Sequence, residues 1–168
     1  DAVNGDDADT GYTGAGAFKT LQKAMEQPGL IKGDTVVALP GVYDQGKMLQ
    51  DSTHTLPARA VVKAGVTLAS RDGAAVTFVK GEASDVTDEP PTQDANYVDY
   101  CGGLGANAVR CVYLLEGAVV RGMTLTNGYT RILPAATTDM SKRHYDADTT
   151  GGGASGSSLG RLERCVIT

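Results

Sequence analysis

The stretch 118–128, AVVRGMTLTNG, alternates apolar with small or polar side chains and stops at Asn127-Gly128, a turn dipeptide. Further along, LERCVIT at 162–168 keeps the same beat. A period of two sends successive side chains to opposite faces, so both stretches read as strands. The beat also occurs in TVVALPG (35–41), where Val36 and Ala38 share one side, and in GVTLAS (65–70), through Val66 and Leu68. In the later copies the pairs are Met123 with Leu125 and Cys165 with Ile167, which makes four copies. Aligned on these pairs, Gly65 falls on Gly122, Thr67 on Thr124 and Ser70 on Asn127. Further strands are expected in AAVTFVKG (74–81), AVRCVYLLEG (108–117) and GGGAS (151–155).

Two polar stretches, 82–107 and 129–150, lie between the copies and make the intervals uneven. Without them the spacing falls to a unit of a few tens of residues, the signature of a solenoid in which each copy buries its apolar side on the next and insertions become loops. The competing architecture is a β-sandwich, whose strands also alternate between closely spaced turns. Agreement of residue types between copies favours the solenoid. Before the first copy, Phe18, Leu21, Ala24 and Met25 recur at three- to four-residue spacing, so residues 17–27 read as a short helix stopped by Pro28-Gly29.

Composition bounds the function. The chain has 168 residues, enough for one domain spanning 1–168, and 22 Gly, seven Tyr, two Phe and no Trp, a balance that suits short strands and tight turns. With 15 Lys and Arg against 20 Asp and Glu, and a net charge of −5, no basic patch is available for phosphates, so nucleic acid is not an expected partner. No apolar run approaches the roughly 18 residues of a membrane span.

In order along the chain, VNGDDADTG, FKTLQKAM, GDTVVALPGVY, GVTLAS, RCVYLLEGAVVRGMTLTNG, GGGA and RCVIT resemble the amino-terminal part of right-handed parallel β-helix proteins of the pectate-lyase-like superfamily. The resemblance spans nearly the whole chain. It implies a mainly β fold, a capping helix at 17–27, two loop insertions, and a location outside the cell or on a bacterial surface. Its motifs specify fold and leave function open, since the family includes lyases, glycosidases, epimerases, adhesins and members without activity. The leading expectation is a non-catalytic scaffold or binding module for a carbohydrate or a partner surface. The alternatives are a polysaccharide lyase or glycosidase with its active site mostly beyond residue 168, and a self-associating filament or surface-layer subunit.

Candidate sites are sparse. Lys142, Arg143 and His144, next to Asp146 and Asp148, could neutralise a uronate and remove the proton α to its carboxyl group, though a solvated loop is the preferred reading. Asp7 and Asp9, or Asp146 and Asp148, could bind calcium, the one cofactor considered; DADTG lacks the further carboxylates of an EF-hand loop and reads better as a turn. GGGASG fits G-x-G-x-x-G and GSSLG fits G-x-S-x-G, but neither is followed by the helix its chemistry needs. Cys101 and Cys111 flank a Gly-rich segment and, given the extracellular resemblance, are expected to form a disulfide, with Cys165 as a small core residue. GRLERCVIT runs as a strand to Thr168 with Leu162, Cys165 and Ile167 turned to the core. Its open side is therefore expected to meet further β-helix coils or another copy end to end.

Overall fold

In the computed structural model the described residues are 1–12, 16–52, 54–85, 105, 107–131 and 151–168. Among the described residues one short helix, α1 (Leu21–Met25), precedes eleven strands. These are β1 (Thr35–Ala38), β2 (Gly41–Tyr43), β3 (Ala58–Val62), β4 (Thr67–Ser70), β5 (Thr77–Lys80), β6 (Arg110–Leu114), β7 (Val119–Arg121), β8 (Thr124–Thr126), β9 (Ala154–Gly156), β10 (Arg161–Glu163) and β11 (Val166–Ile167). Every pairing between them is parallel. Sheet A has the order β1-β4-β7-β10, sheet B β2-β5-β8-β11 and sheet C β3-β6-β9. Successive strands thus enter A, B and C in strict rotation, one circuit for every three strands, an order compatible with the expected parallel β-helix.

Register turns this order into ladders. In sheet A, Val36, Leu68, Val120 and Leu162 stand in line; in sheet B, Tyr43, Val79, Leu125 and Ile167 do. In sheet C, Ala60, Val112 and Ala154 align. A single core cluster draws on all three sheets through Leu68, Val79, Val112, Val120 and Leu125, each fully buried. Strand β3 is buried at all five positions, so both of its faces are covered, Arg59 included.

The four copies read from the sequence divide between two sheets. TVVA and TLAS pair with each other in sheet A, but their next partner is Val119–Arg121, and TLT pairs instead with FVK of β5. Leu68 therefore meets Val120 rather than Leu125, and the alignment of Gly65 on Gly122 is one strand out of phase. The opening comparison survives, because AVVRGMTLT and GRLERCVIT each contain two strands in matching positions. Gly122 (φ 66°) makes the corner between β7 and β8, and one circuit later Arg164 takes the same left-handed corner at φ 53°. An L side chain there costs energy that Gly does not.

The helix is shorter than the expected 17–27. Thr20 caps it, its hydroxyl accepting from the Lys23 N–H at 3.1 Å, and Phe18, Leu21 and Met25 are buried. Asp7 fixes the entry: Oδ1 accepts from the Lys19 and Thr20 N–H groups at 2.9 Å and Oδ2 from the Thr20 hydroxyl at 2.7 Å. No helix among the described residues is long and apolar enough to cross a membrane.

Two stability outcomes follow from the ladders. Leu68→Ala, at a fully buried rung, is expected to lower the unfolding free energy by about 2–5 kcal/mol in denaturant titration, and Leu162→Ala, at the 37% exposed rung of the same ladder, by much less. Arg164→Gly is expected to stabilise by about 1 kcal/mol, seen as a raised Tm, because it relieves the left-handed corner.

Candidate functional site

Connections from sheet A to B and from C to A are tight, none exceeding the six residues 71–76. All three long connections, 44–57, 81–109 and 127–153, run from sheet B to sheet C, so consecutive circuits send their insertions out at one corner. Met48 and Ala58 exchange two backbone bonds at 2.9 Å, and Glu82 and Val109 exchange two at 3.0 and 2.8 Å, so the first two insertions leave through antiparallel necks. The Tyr129 N–H donates to the Val109 carbonyl at 3.2 Å and the Gly105 N–H to that of Thr130 at 3.1 Å, which ties the third stem to the second.

Glycine makes the third stem possible. A Cβ on Gly128 would run into the Gly152 carbonyl, and one on Gly152 into that of Gly128. Close backbone approach thus accounts for Gly152 and a left-handed turn at φ 68° for Gly151, so the G-x-G-x-x-G match needs no nucleotide. Likewise, 157–160 closes as a turn, with the Gly160 N–H donating to the Ser157 carbonyl at 3.0 Å before β10 begins, so GSSLG is no nucleophile elbow.

Side chains then lock the stems to one another. Arg59, 5% exposed, donates through Nε to the Lys80 carbonyl, through Nη1 to that of Gly46, and through Nη2 to Glu82 Oε2, at 2.8–2.9 Å. One guanidinium thereby joins the first and second insertions. The third reaches the first through Arg131, whose Nη1 donates to the Thr55 hydroxyl at 2.6 Å. On sheet C the Arg110 guanidinium lies 5.8 Å from the Tyr113 ring centre, within cation–π range, and the centre of the His54 ring stands 6.2 Å from that of Tyr113. Asp51 Oδ1 lies 2.8 Å from His54 Nδ1 and accepts the His54 N–H at 3.1 Å. Arg110 and Arg59 are buried, so what the corner shows at its surface is the half-buried Tyr113 ring, the His54 imidazole and the Arg131 guanidinium, a set suited to stacking on flat apolar faces while hydrogen-bonding to hydroxyls or carboxylates.

Lys142, Arg143, His144, Asp146, Asp148 and Cys101 lie outside the described residues. Asp7 is committed to the start of α1, and Asp9 sits in a turn where its N–H donates to the Asp6 carbonyl. Among the described residues no group of three or more His, Cys, Asp or Glu side chains could hold a metal. A separate hollow of about 580 Å³ opens between α1 and β1, lined by Phe18, Leu21, Leu30 and Val37. Its carboxylates, Asp1 and Asp34, accept from nearby backbone N–H groups, so it offers less chemistry than the corner.

Cys111 and Cys165 are free thiols. Cys111 is fully buried, its Sγ donating to the Thr126 carbonyl at 3.2 Å; the expected disulfide to Cys101 involves a residue outside those described. His54, Tyr113, Arg59 and Arg131 were not singled out by the sequence. Arg59, a lone cation inside the apolar run LPARAVV, was the available signal, since a buried cation needs partners. Compared with protein-family models, with curated proteins and with solved structures, the chain finds no match.

Burial pushes the Cys111 thiol up to about 11. Folding thus favours its neutral form, and the stability it contributes is complete below the ordinary thiol value of 9.0 and falls away as the pH rises towards 11. Mass-mapped iodoacetamide labelling at pH 8 is expected to spare Cys111 in the folded chain and to modify it after unfolding without reductant.

Proposed function

We propose that the chain is a right-handed parallel β-helix of the pectate-lyase-like superfamily, acting outside the cell or on a bacterial surface as a non-catalytic scaffold. Its insertion-bearing corner presents a binding face to polysaccharide. The β-helix reading draws on the strict rotation of strands through three parallel sheets and on the core they share. One observation carries the functional reading: three consecutive circuits keep tight turns at two corners and place every long connection at the third. In solenoids such one-sided insertions mark the binding face. Half-buried Tyr113, with the His54 ring near it, would supply the stacking surface that a sugar ring requires. The reading invokes no cofactor.

A second reading, a polysaccharide lyase or glycosidase, draws on the Asp51–His54 pair, since a carboxylate beside Nδ1 is how an imidazole base is oriented. It is the weaker reading. Asp51 is only three residues from His54 and also accepts its N–H, which is the ordinary geometry of a turn.

Affinity electrophoresis through gels loaded with acidic and neutral polysaccharides tests the proposal. Retardation by at least one polymer is expected, with Tyr113→Ala and Arg131→Ala each weakening it about tenfold at unchanged Tm. No retardation by any polymer, or retardation indifferent to both substitutions, defeats the binding face. Polymer cleavage lost on His54→Ala would favour the enzyme.

A further inference from the structure

We propose that Glu82 is a positioning residue of the insertion-bearing corner: its carboxylate holds the buried Arg59 cation, and through it the first insertion, so that His54 stays beside Tyr113. The inference rests on the reading of that corner as a binding face. Arg59 is 5% exposed, and a buried guanidinium needs both its charge balanced and its donors met. Its three acceptors are not equivalent. The carbonyls of Lys80 and Gly46 are neutral, so among the described residues Glu82, at 2.8 Å, is the ion-pair partner. The Glu82 side chain is itself 56% exposed, so this half of the pair can be altered without opening the core.

The three acceptors belong to three segments. Lys80 ends β5, Glu82 lies at the start of the second insertion, and Gly46 lies near the start of the first. Ala58, next to Arg59 in sequence, closes the first insertion by exchanging two backbone bonds with Met48. Arg59 therefore ties both ends of that insertion to the end of a sheet B strand. His54 lies within the insertion, whereas Tyr113 stands on β6. The register of sheet C does not fix one ring to the other, so their 6.2 Å separation depends on where the first insertion is held. Two further ties act on it: the Lys47 N–H donates to the Gln22 side chain at 2.8 Å, and Arg131 to the Thr55 hydroxyl at 2.6 Å. Both are exposed, so they limit its displacement without replacing a buried, charge-assisted anchor.

Without the charge at Glu82, Arg59 is a buried cation with neutral acceptors only. The least costly response is for the guanidinium to turn towards water and give up the Gly46 carbonyl, and the first insertion then shifts with its neck. Tyr113 does not follow, because β6 is paired on both sides, to β3 and to β9. The imidazole and the phenol ring part, and a polymer no longer meets them as one surface.

The chain has two histidines, so proton NMR of the imidazole resonances tests the positioning apart from any ligand. His54→Gln identifies the resonance, and Tyr113→Leu is expected to shift it by removing the ring current. Glu82→Gln keeps the shape and a hydrogen-bond acceptor but not the charge. It is expected to shift the resonance in the same direction and to weaken retardation in pectin, alginate or dextran gels about threefold to tenfold. Arg59→Met combined with Glu82→Gln leaves no buried charge unpaired. This double variant is expected to melt above Glu82→Gln alone while the resonance stays displaced, which a pair serving stability only would not produce. A His54 resonance indifferent to Tyr113→Leu or to Glu82→Gln overturns the proposal, as does a double variant whose resonance returns to its original place. A shifted resonance with unchanged retardation overturns the role of Glu82 at the binding face. If no gel retards the unchanged chain, the binding face itself fails, and the resonance alone decides whether Glu82 positions His54.

Discussion

Parallel pairing between strands one circuit apart is the constraint on which the rest depends. A strand of two to five residues cannot satisfy its own backbone, and no neighbour in sequence can do so within a parallel sheet. Its partners are residues far along the chain: Thr67 lies 32 residues after Thr35, Val119 lies 52 after Thr67, and Arg161 lies 42 after Val119. Once that register is set, the side chains have no further choice. Leu68 must stack on Val120 and Val79 on Leu125, and the core fills because each rung offers a similar volume at the same place.

The unequal intervals show where the constraint relaxes. Register needs the strands to return to their places but does not fix how much chain is spent between them. Loop closure grows more costly only slowly with length, so one corner can carry long insertions as long as their necks are held. The necks are held by paired backbone at Met48 with Ala58 and Glu82 with Val109, by Arg59 between the first two insertions, and by close glycine contact between 128 and 152. His54 and Tyr113, 59 positions apart in sequence, become neighbours for this reason alone.

Much of the strand inventory was legible because alternation is a local property. AVVRGMTLT and GRLERCVIT could be matched by eye, and they match in space. Phase was harder to read. GVTLAS and GMTLTNG share residue types, yet they belong to different sheets, because a short strand of either sheet has the same period and the sequence does not label which corner has been turned. β3 went unread, since ARAVV is buried on both faces and shows no alternation, and its Arg59 looks misplaced until Glu82 and two carbonyls are brought to it. The corner cluster was illegible for a related reason: nothing in QDSTHTLP announces Tyr113, and only the register of sheet C unites them.

The stacking order also makes the molecule mechanically anisotropic. Hydrogen bonds between neighbouring strands of a sheet point from one circuit to the next, so a load pulling the first circuit away from the last acts on the rungs in series. The rung joining β4 to β7 pairs three residues, against four between β1 and β4. Tension along the stack would therefore open the β4–β7 rung of sheet A before the β1–β4 rung. A load across a sheet, parallel to its strands, would instead have to shear every rung it crosses together.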